Sequence, residues 1–176
     1  MNKKYIVKYK YALLDLLKDE NINLSEIDTS SMIDMSYLFQ DSKRKNFDGI
    51  ETWDVSNVVN MESMFEGAIN FDSALDKWNV SNVKDMSLMF CFTKSFNQPL
   101  NNWNVSNVTS ISQIFHYASS FNHPLDNWDV SNVEYMNAIF YEAESFNQNL
   151  EFWNVSNRMR DVFNNSAMKN NTPSLV

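Results

Sequence analysis

The sequence predicts an α/β repeat solenoid: coils of about 25 residues piled on one another, each with a short parallel strand and a short helix, closed at the amino end by a capping helix. Three observations carry this expectation. Trp53, Trp78, Trp103, Trp128 and Trp153 stand 25 residues apart. Each opens a near-copy of Trp-Asp/Asn-Val-Ser-Asn. Counted from Trp, apolar residues return at the same offsets in copy after copy. Such a unit presents an apolar face that it cannot bury alone, and piling neighbours on it is the solution that buries it.

The elements follow in chain order. Residues 1–26 form the expected cap, because Tyr9 to Asp19 carries Leu13, Leu14, Leu16 and Leu17 at mixed helical spacing. Lys3, Lys4, Lys8 and Lys10 gather just before it and read as a solvated or solubilising face. Residues 27–168 form the repeat array, five repeats plus an incomplete last one. The first is degenerate: Ile27 replaces Trp, Met32, Met35, Leu38 and Phe39 keep register, and the segment Asp41 to Asn46 makes this unit 26 long. In the copy that starts at Trp103 the inward positions are Trp103, Val105, Val108, Ile111, Ile114, Phe115, Ala118, Phe121 and Leu125. From Val108 onward most apolar steps are of three residues, the step of a helix or of successive 3₁₀ turns. Ser106 and Asn107 precede this stretch as N-cap types, so the expectation is a short helix over Val108 to Ala118. Upstream, Leu100-x-x-Trp103-x-Val105 ends on a period of two, the alternation of a brief strand. The copy at Trp153 runs into Arg158 to Phe163 two residues short, an incomplete turn, and 169–176 reads as a loose tail.

Composition narrows function. The chain has 176 residues, 14% aromatic, with two Gly and three Pro, which argues against disorder and glycine-rich binding loops. A formal charge of −8 argues against nucleic acid as partner, since phosphate-backbone affinity rests on clustered Lys and Arg. No apolar run reaches the length that spans a bilayer, so membrane insertion is not expected. With one cysteine, Cys91, no intrachain disulfide or multi-cysteine metal cluster can form, and an inert buried thiol is expected. The amino end lacks the apolar stretch of a secretory signal, so the expected location is cytoplasmic. The alternative is the cell surface, if a signal has been removed.

Polar residues also fall in columns. The Ser-Asn pair recurs after each Trp, and Asn97, Asn122 and Asn147 follow the Phe, with Asp48 and Asp72 at the equivalent sites earlier. Side-chain amides at fixed turn positions satisfy backbone groups, which also explains the glycosylation-like triplets at Asn79, Asn104 and Asn154.

The string Trp-Asp/Asn-Val-Ser-Asn-Val-x-x-Met-x-x-Met-Phe-x-x-Ala-x-x-Phe-Asn-x-x-Leu resembles the mycoplasma lipoprotein-associated repeat of BspA-like leucine-rich-repeat surface proteins. The resemblance covers residues 27 to about 163. It implies a leucine-rich-repeat-like right-handed solenoid, often displayed on bacterial surfaces, with adhesion or protein binding as its role and no catalytic centre.

Two faces are candidates for contact. If the Leu-x-x-Trp-x-Val strand lines a concave surface, its outward residues include Asn79, Asn104, Asp129 and Phe152, a carpet of amides and carboxylates with one aromatic. On the helix side, Cys91-Phe92, His116-Tyr117 and Tyr141 fall at two adjacent offsets in consecutive copies, and piling brings them into one aromatic column. Catalysis requires nucleophile, base and orienter to converge. The two histidines, His116 and His123, lie on different parts of one coil, and His123 shares a column with Gln98 and Gln148. The expectation is a non-catalytic scaffold for protein–protein interaction with an unidentified protein partner and no cofactor or metal. A surface adhesin or carbohydrate-binding module is the alternative.

Overall fold

Apolar residues three apart meet on one side of the chain here because each pair closes a turn. In the unit around Trp78, the Trp78 N–H donates to the Leu75 carbonyl (3.0 Å), Val83 to Val80 (2.9 Å), Met89 to Met86 (3.2 Å) and Phe96 to Thr93 (3.1 Å). The same bonds recur around Trp103: Trp103 to Leu100 (3.0 Å), Val108 to Val105 (2.9 Å), Ile114 to Ile111 (3.2 Å) and Phe121 to Ala118 (3.1 Å). An i to i+3 bond reverses the chain and turns both corner side chains inward. These features come from a computed structural model that describes residues 3–153. The incomplete turn beyond Trp153, the triplet at Asn154 and the tail 169–176 lie outside the described residues.

Turns take the place of the expected helix. Val108 to Ala118 contains no helix, and Gln113 (φ 58°) and Tyr117 (φ 55°) sit in the left-handed region, which a right-handed helix cannot accommodate. Their backbone bonds run between units instead. Met86, Leu88, Phe90 and Phe92 donate to the carbonyls of Ser110, Ser112, Ile114 and His116 at 2.8–2.9 Å. Ile111, Gln113, Phe115 and Tyr117 donate likewise to Tyr135, Asn137, Ile139 and Tyr141 at 2.8–3.1 Å. Alternate residues of one unit therefore donate to the next, a parallel ladder in which every second donor (Leu88, Phe92, Gln113, Tyr117) is left-handed and corrects the direction of the chain. A step of three cannot distinguish this arrangement from a helix, because both return to the same side after three residues.

The strand expectation is corrected in position. Parallel bridges link Asp34 to Asn60, Asn60 to Asp85, Asp85 to Ser110 and Ser110 to Tyr135. They fall seven residues after each Trp, not on Leu-x-x-Trp-x-Val. The Leu-x-x-Trp piece is a turn, and its period of two continues only as far as Val.

At the amino end, α1 (Lys10–Leu17) occupies the expected place, with Leu13 fully buried and Leu16 and Leu17 packed against the core. A two-residue strand, β1 (Tyr5–Ile6), precedes it and pairs in parallel with β2 (Ile27–Asp28), where Ile27 stands in for Trp. Three of the four lysines tie this segment down. Lys3 Nζ donates to the Ser25 carbonyl (2.9 Å), Lys4 lies 3.8 Å from Glu26, and Lys10 reaches Asp34 (3.2 Å). Lys8 is exposed.

The longer first unit is pinned by a buried cation. Arg44 is 3% exposed, and its guanidinium donates to the carbonyls of Asn46 (2.6 Å), Ile22 (2.5 Å) and Asp19 (3.4 Å). Gly49 follows at φ 93°, where a Cβ would lie 2.2 Å from the Ser25 nitrogen, so no side chain fits.

The core is built from columns of rings. Phe39, Phe65, Phe90, Phe115 and Phe140 stack face to face with centroids 5.5–5.7 Å apart. Phe71, Phe96, Phe121 and Phe146 form a second column at 5.6–5.9 Å. All five Trp are buried, and the later ones stack on each other (6.5 and 6.2 Å). At the surface, polar groups are matched in kind between units. The Asn of each Ser-Asn pair donates to the Ser carbonyl of the preceding unit: Asn57 to Ser30 (2.9 Å), Asn82 to Ser56 (2.7 Å), Asn107 to Ser81 (2.8 Å) and Asn132 to Ser106 (2.7 Å).

Candidate functional site

Residues 13 and 14 places after each Trp position stand side by side in two columns. The first reads Gln40, Glu66, Cys91, His116 and Tyr141; the second reads Asp41, Gly67, Phe92, Tyr117 and Glu142. The inter-unit bonds Gly67 N–H to Cys91 (2.8 Å), Phe92 to His116 (2.8 Å) and Tyr117 to Tyr141 (2.8 Å) hold these columns in register. The second column is left-handed at every member, from Asp41 (φ 54°) to Glu142 (φ 54°), which swings its side chains outward.

The structure brings four of the sequence-selected residues together. Phe92 and Tyr117 stack at 4.8 Å with planes 10° apart. His116 lies 4.8 Å from Tyr117 and 5.7 Å from Phe92, and Tyr141 meets His116 edge-on at 5.0 Å. Phe92 is exposed; the other three are half-buried. Cys91 does not join them at the surface. It is fully buried, and its burial, with the charge of Glu66 adding to it, pushes the thiol up to about 12. Burial lowers the His116 pKa against the opposing pull of Glu142, and His116 Nδ1 pairs with Gln113 Oε1 (3.0 Å). The Tyr117 hydroxyl is shifted up, by lost hydration first and then by Tyr141 and Glu142. At neutral pH the patch is thus uncharged aromatic surface with carboxylates at its ends.

The other four candidates are not brought together. Asn79, Asn104 and Asp129 are exposed, one per unit, and each closes a local turn. Their Oδ1 atoms accept the backbone N–H of Ser81 (3.2 Å), Ser106 (3.2 Å) and Ser131 (3.0 Å). The Asp129 pKa falls through these hydrogen bonds from Ser131. Phe152 is 75% exposed. His123 Nε2 pairs with the Asn97 carbonyl (3.0 Å), so the two histidines serve separate structural bonds.

One surface went unread in the sequence. An open groove of about 860 Å³ between β1 and α1 is lined by Tyr5, Ile6, Tyr11, Leu14 and the stems of Lys4 and Lys18. Ile6 and Tyr11 are 70% and 71% exposed. The signal was present in the mixed spacing of the four leucines, which cannot all face one side of a single helix. Among the described residues no helix is long and apolar enough to cross a membrane.

Among the described residues, turn-built units are joined by a parallel ladder, and an aromatic patch forms where consecutive units meet. The chain belongs to the family DUF285, described as "Mycoplasma protein of unknown function". The family's model matches residues 11–111 and again 72–175. No curated protein matches the chain, and no solved structure does.

Proposed function

We propose that this chain is a non-catalytic scaffold for protein–protein interaction, built as a leucine-rich-repeat-like right-handed solenoid of the BspA-like kind. The parallel ladder between equivalent residues and the repeating ring columns support the solenoid. One observation carries the functional reading: Phe92, His116, Tyr117 and Tyr141, from three consecutive units, form one aromatic patch at the surface. The internal aromatics explain stability by burial. This patch lies outside them, and contiguous aromatic surface on a folded protein serves contact. The site residues carry no cofactor or metal in this reading, and the place of action is the cytoplasm.

The alternative, a surface adhesin or carbohydrate-binding module, would draw on the exposed Phe152 ring and on the exposed polar residues Asn79, Asn104 and Asp129. Sugar binding uses several aromatic platforms, and the described part of that face offers one.

The test is affinity capture from the organism that encodes the protein, using the wild type and a Phe92→Ser/Tyr117→Ser variant of matched denaturation midpoint. Partners held by the wild type and lost by the variant are expected. Identical captured sets would overturn the assignment of this patch.

A further inference from the structure

We infer that the patch accepts a basic segment of a protein partner, with an Arg or Lys head set against the exposed Phe92 ring on the side of the Asp41 and Glu66 carboxylates; this rests on the reading of the patch as a protein-contact surface. This setting arises from the column itself. Tyr117 covers one face of the Phe92 ring. On the opposite side the column continues through Gly67, which has no side chain, to Asp41. The Asp41 carboxylate leans over Gly67, so that a Cβ placed there would lie 2.3 Å from Asp41 Oδ1. Beside Gly67, the half-buried Glu66 is held by Gln40 Nε2, which donates to Glu66 Oε2 (2.9 Å). The Asp41 carboxylate thus fills the place a Gly67 side chain would take, and with Glu66 beside it comes next along the column from the exposed Phe92.

A cation is the chemistry that satisfies an aromatic face and two carboxylates together. The ring quadrupole attracts positive charge over its face, and the carboxylates add hydrogen-bonded pairing that a planar guanidinium matches best. At the other end of the patch Glu142 and the exposed Glu144 repeat the sign. Lys43 and Lys94 stand two places beyond the second column, leaving four carboxylates against two ammonium groups. His116, held neutral by burial, adds no opposing charge. The whole chain, at −8, favours approach of a basic segment.

The probes are three fluorescent peptides of one length: repeated Arg-Gly-Ser, repeated Gln-Gly-Ser and repeated Glu-Gly-Ser, titrated by anisotropy against the full chain. The Arg peptide is expected to bind, more weakly as salt rises. Glu66→Gln/Glu142→Gln and Phe92→Leu are each expected to weaken it by about threefold to tenfold. Phe92→Leu keeps an apolar side chain and removes the ring, and Leu88 already holds a comparable φ (60°), so folding is preserved. A control of equal net charge, Asp76→Asn/Glu134→Gln, changes carboxylates elsewhere on their units and is expected to leave binding within twofold. Equal weakening by control and test pairs would reduce the effect to bulk charge and overturn the inference. Binding of the Gln or Glu peptide that Phe92→Leu abolishes would overturn the basic partner while leaving the contact surface standing. No binding by any peptide would also overturn it, with the capture comparison then deciding the surface separately.

Discussion

The indole nitrogen of Trp103 donates to the carbonyl oxygen of Leu75, 2.8 Å away, and that same oxygen accepts the backbone N–H of Trp78 at 3.0 Å. One carbonyl therefore serves the turn of its own unit and the side chain of the next. The bond recurs from Trp53 to Leu24 (2.9 Å), Trp78 to Ile50 (3.2 Å), Trp128 to Leu100 (3.0 Å) and Trp153 to Leu125 (2.9 Å). A phenylalanine would fill much of the space but could not donate. This is why the repeat is marked by Trp at this offset and by Phe at the two others.

From that relationship Trp103→Ala is expected to cost on the order of 3–5 kcal/mol in chemical denaturation, by lost transfer energy and the cavity left behind. Trp103→Phe should cost less, about 1–3 kcal/mol, since it keeps most of the burial and forfeits one buried hydrogen bond. A loss below about 1 kcal/mol for the Ala variant would contradict the inward, bonded indole.

The left-handed positions lead to a stabilising substitution. Ala138 holds φ 50°, at the same offset as Tyr37, Ser63, Leu88 and Gln113. A non-glycine residue there costs roughly 1–2 kcal/mol, while glycine loses about 0.5–1 kcal/mol more chain entropy on folding. Ala138→Gly removes one methyl from a half-buried site. The expected net effect is a gain of up to about 1 kcal/mol, read as a raised denaturation midpoint. Gly49→Ala runs the opposite way: its Cβ meets backbone at Ser25, and destabilisation of about 2 kcal/mol or more is expected.

How much of this was legible in the sequence depends on which bonds a residue type reveals. The Trp beat and the constant apolar offsets located the buried residues, from Trp53 to Phe146, because burial is decided by side-chain chemistry. The recurrent Ser-Asn pair announced polar residues with a structural duty, which they perform between units. The helix over Val108 to Ala118 was misread because left-handed φ at Gln113 and Tyr117 leaves no mark in residue type. Glycine would have marked it, and it appears only once in the two left-handed columns, at Gly67. The aromatic patch was read from offset alone, since equal offsets become neighbours once the units pair in register. Cys91 was assigned to the same column and lies beneath it: its neighbour Phe92, not the thiol, takes the outward place. The leucine spacing marked one wall of the amino-terminal groove, but the other wall, β1, is two residues long and has no periodicity to read, so the groove was missed.

Cys91 provides a chemical test of that layering. Its thiol is fully buried, pushed up to about 12 by burial first and by Glu66 second, and the thiolate is the reactive form. At pH 8 a thiol-specific reagent is expected to label the native chain at least about a thousandfold more slowly than the chain in denaturant, by thiolate fraction alone. Labelling at comparable rates would place Cys91 at the surface.

The attachment of the amino-terminal cap should depend on acidity through Asp34. Its Oδ1 accepts the Ser36 N–H (2.8 Å) and hydroxyl (2.6 Å), and Lys10 Nζ lies 3.2 Å from Oδ2 while facing the Tyr37 ring at 5.3 Å. Burial, the largest influence, raises its pKa; the Ser36 bonds and Lys10 together outweigh it and leave the group below the ordinary aspartate value. A carboxyl with a folded pKa below its unfolded one contributes its stability in full above the unfolded value, about pH 4, and loses it as pH falls through the folded value. Half of this side chain is exposed, so solvent screens the pair and the contribution stays at or below about 1 kcal/mol. Wild type is therefore expected to exceed Asp34→Asn in stability at pH 6, with the gap closing as the solution is acidified below about pH 4. Lys10→Met should narrow the same gap at pH 6 and lower amide-exchange protection in α1 first, because it cuts the bond between the cap and the first unit. A gap that persists unchanged into strong acid would mean that the Asp34 carboxylate holds nothing in place.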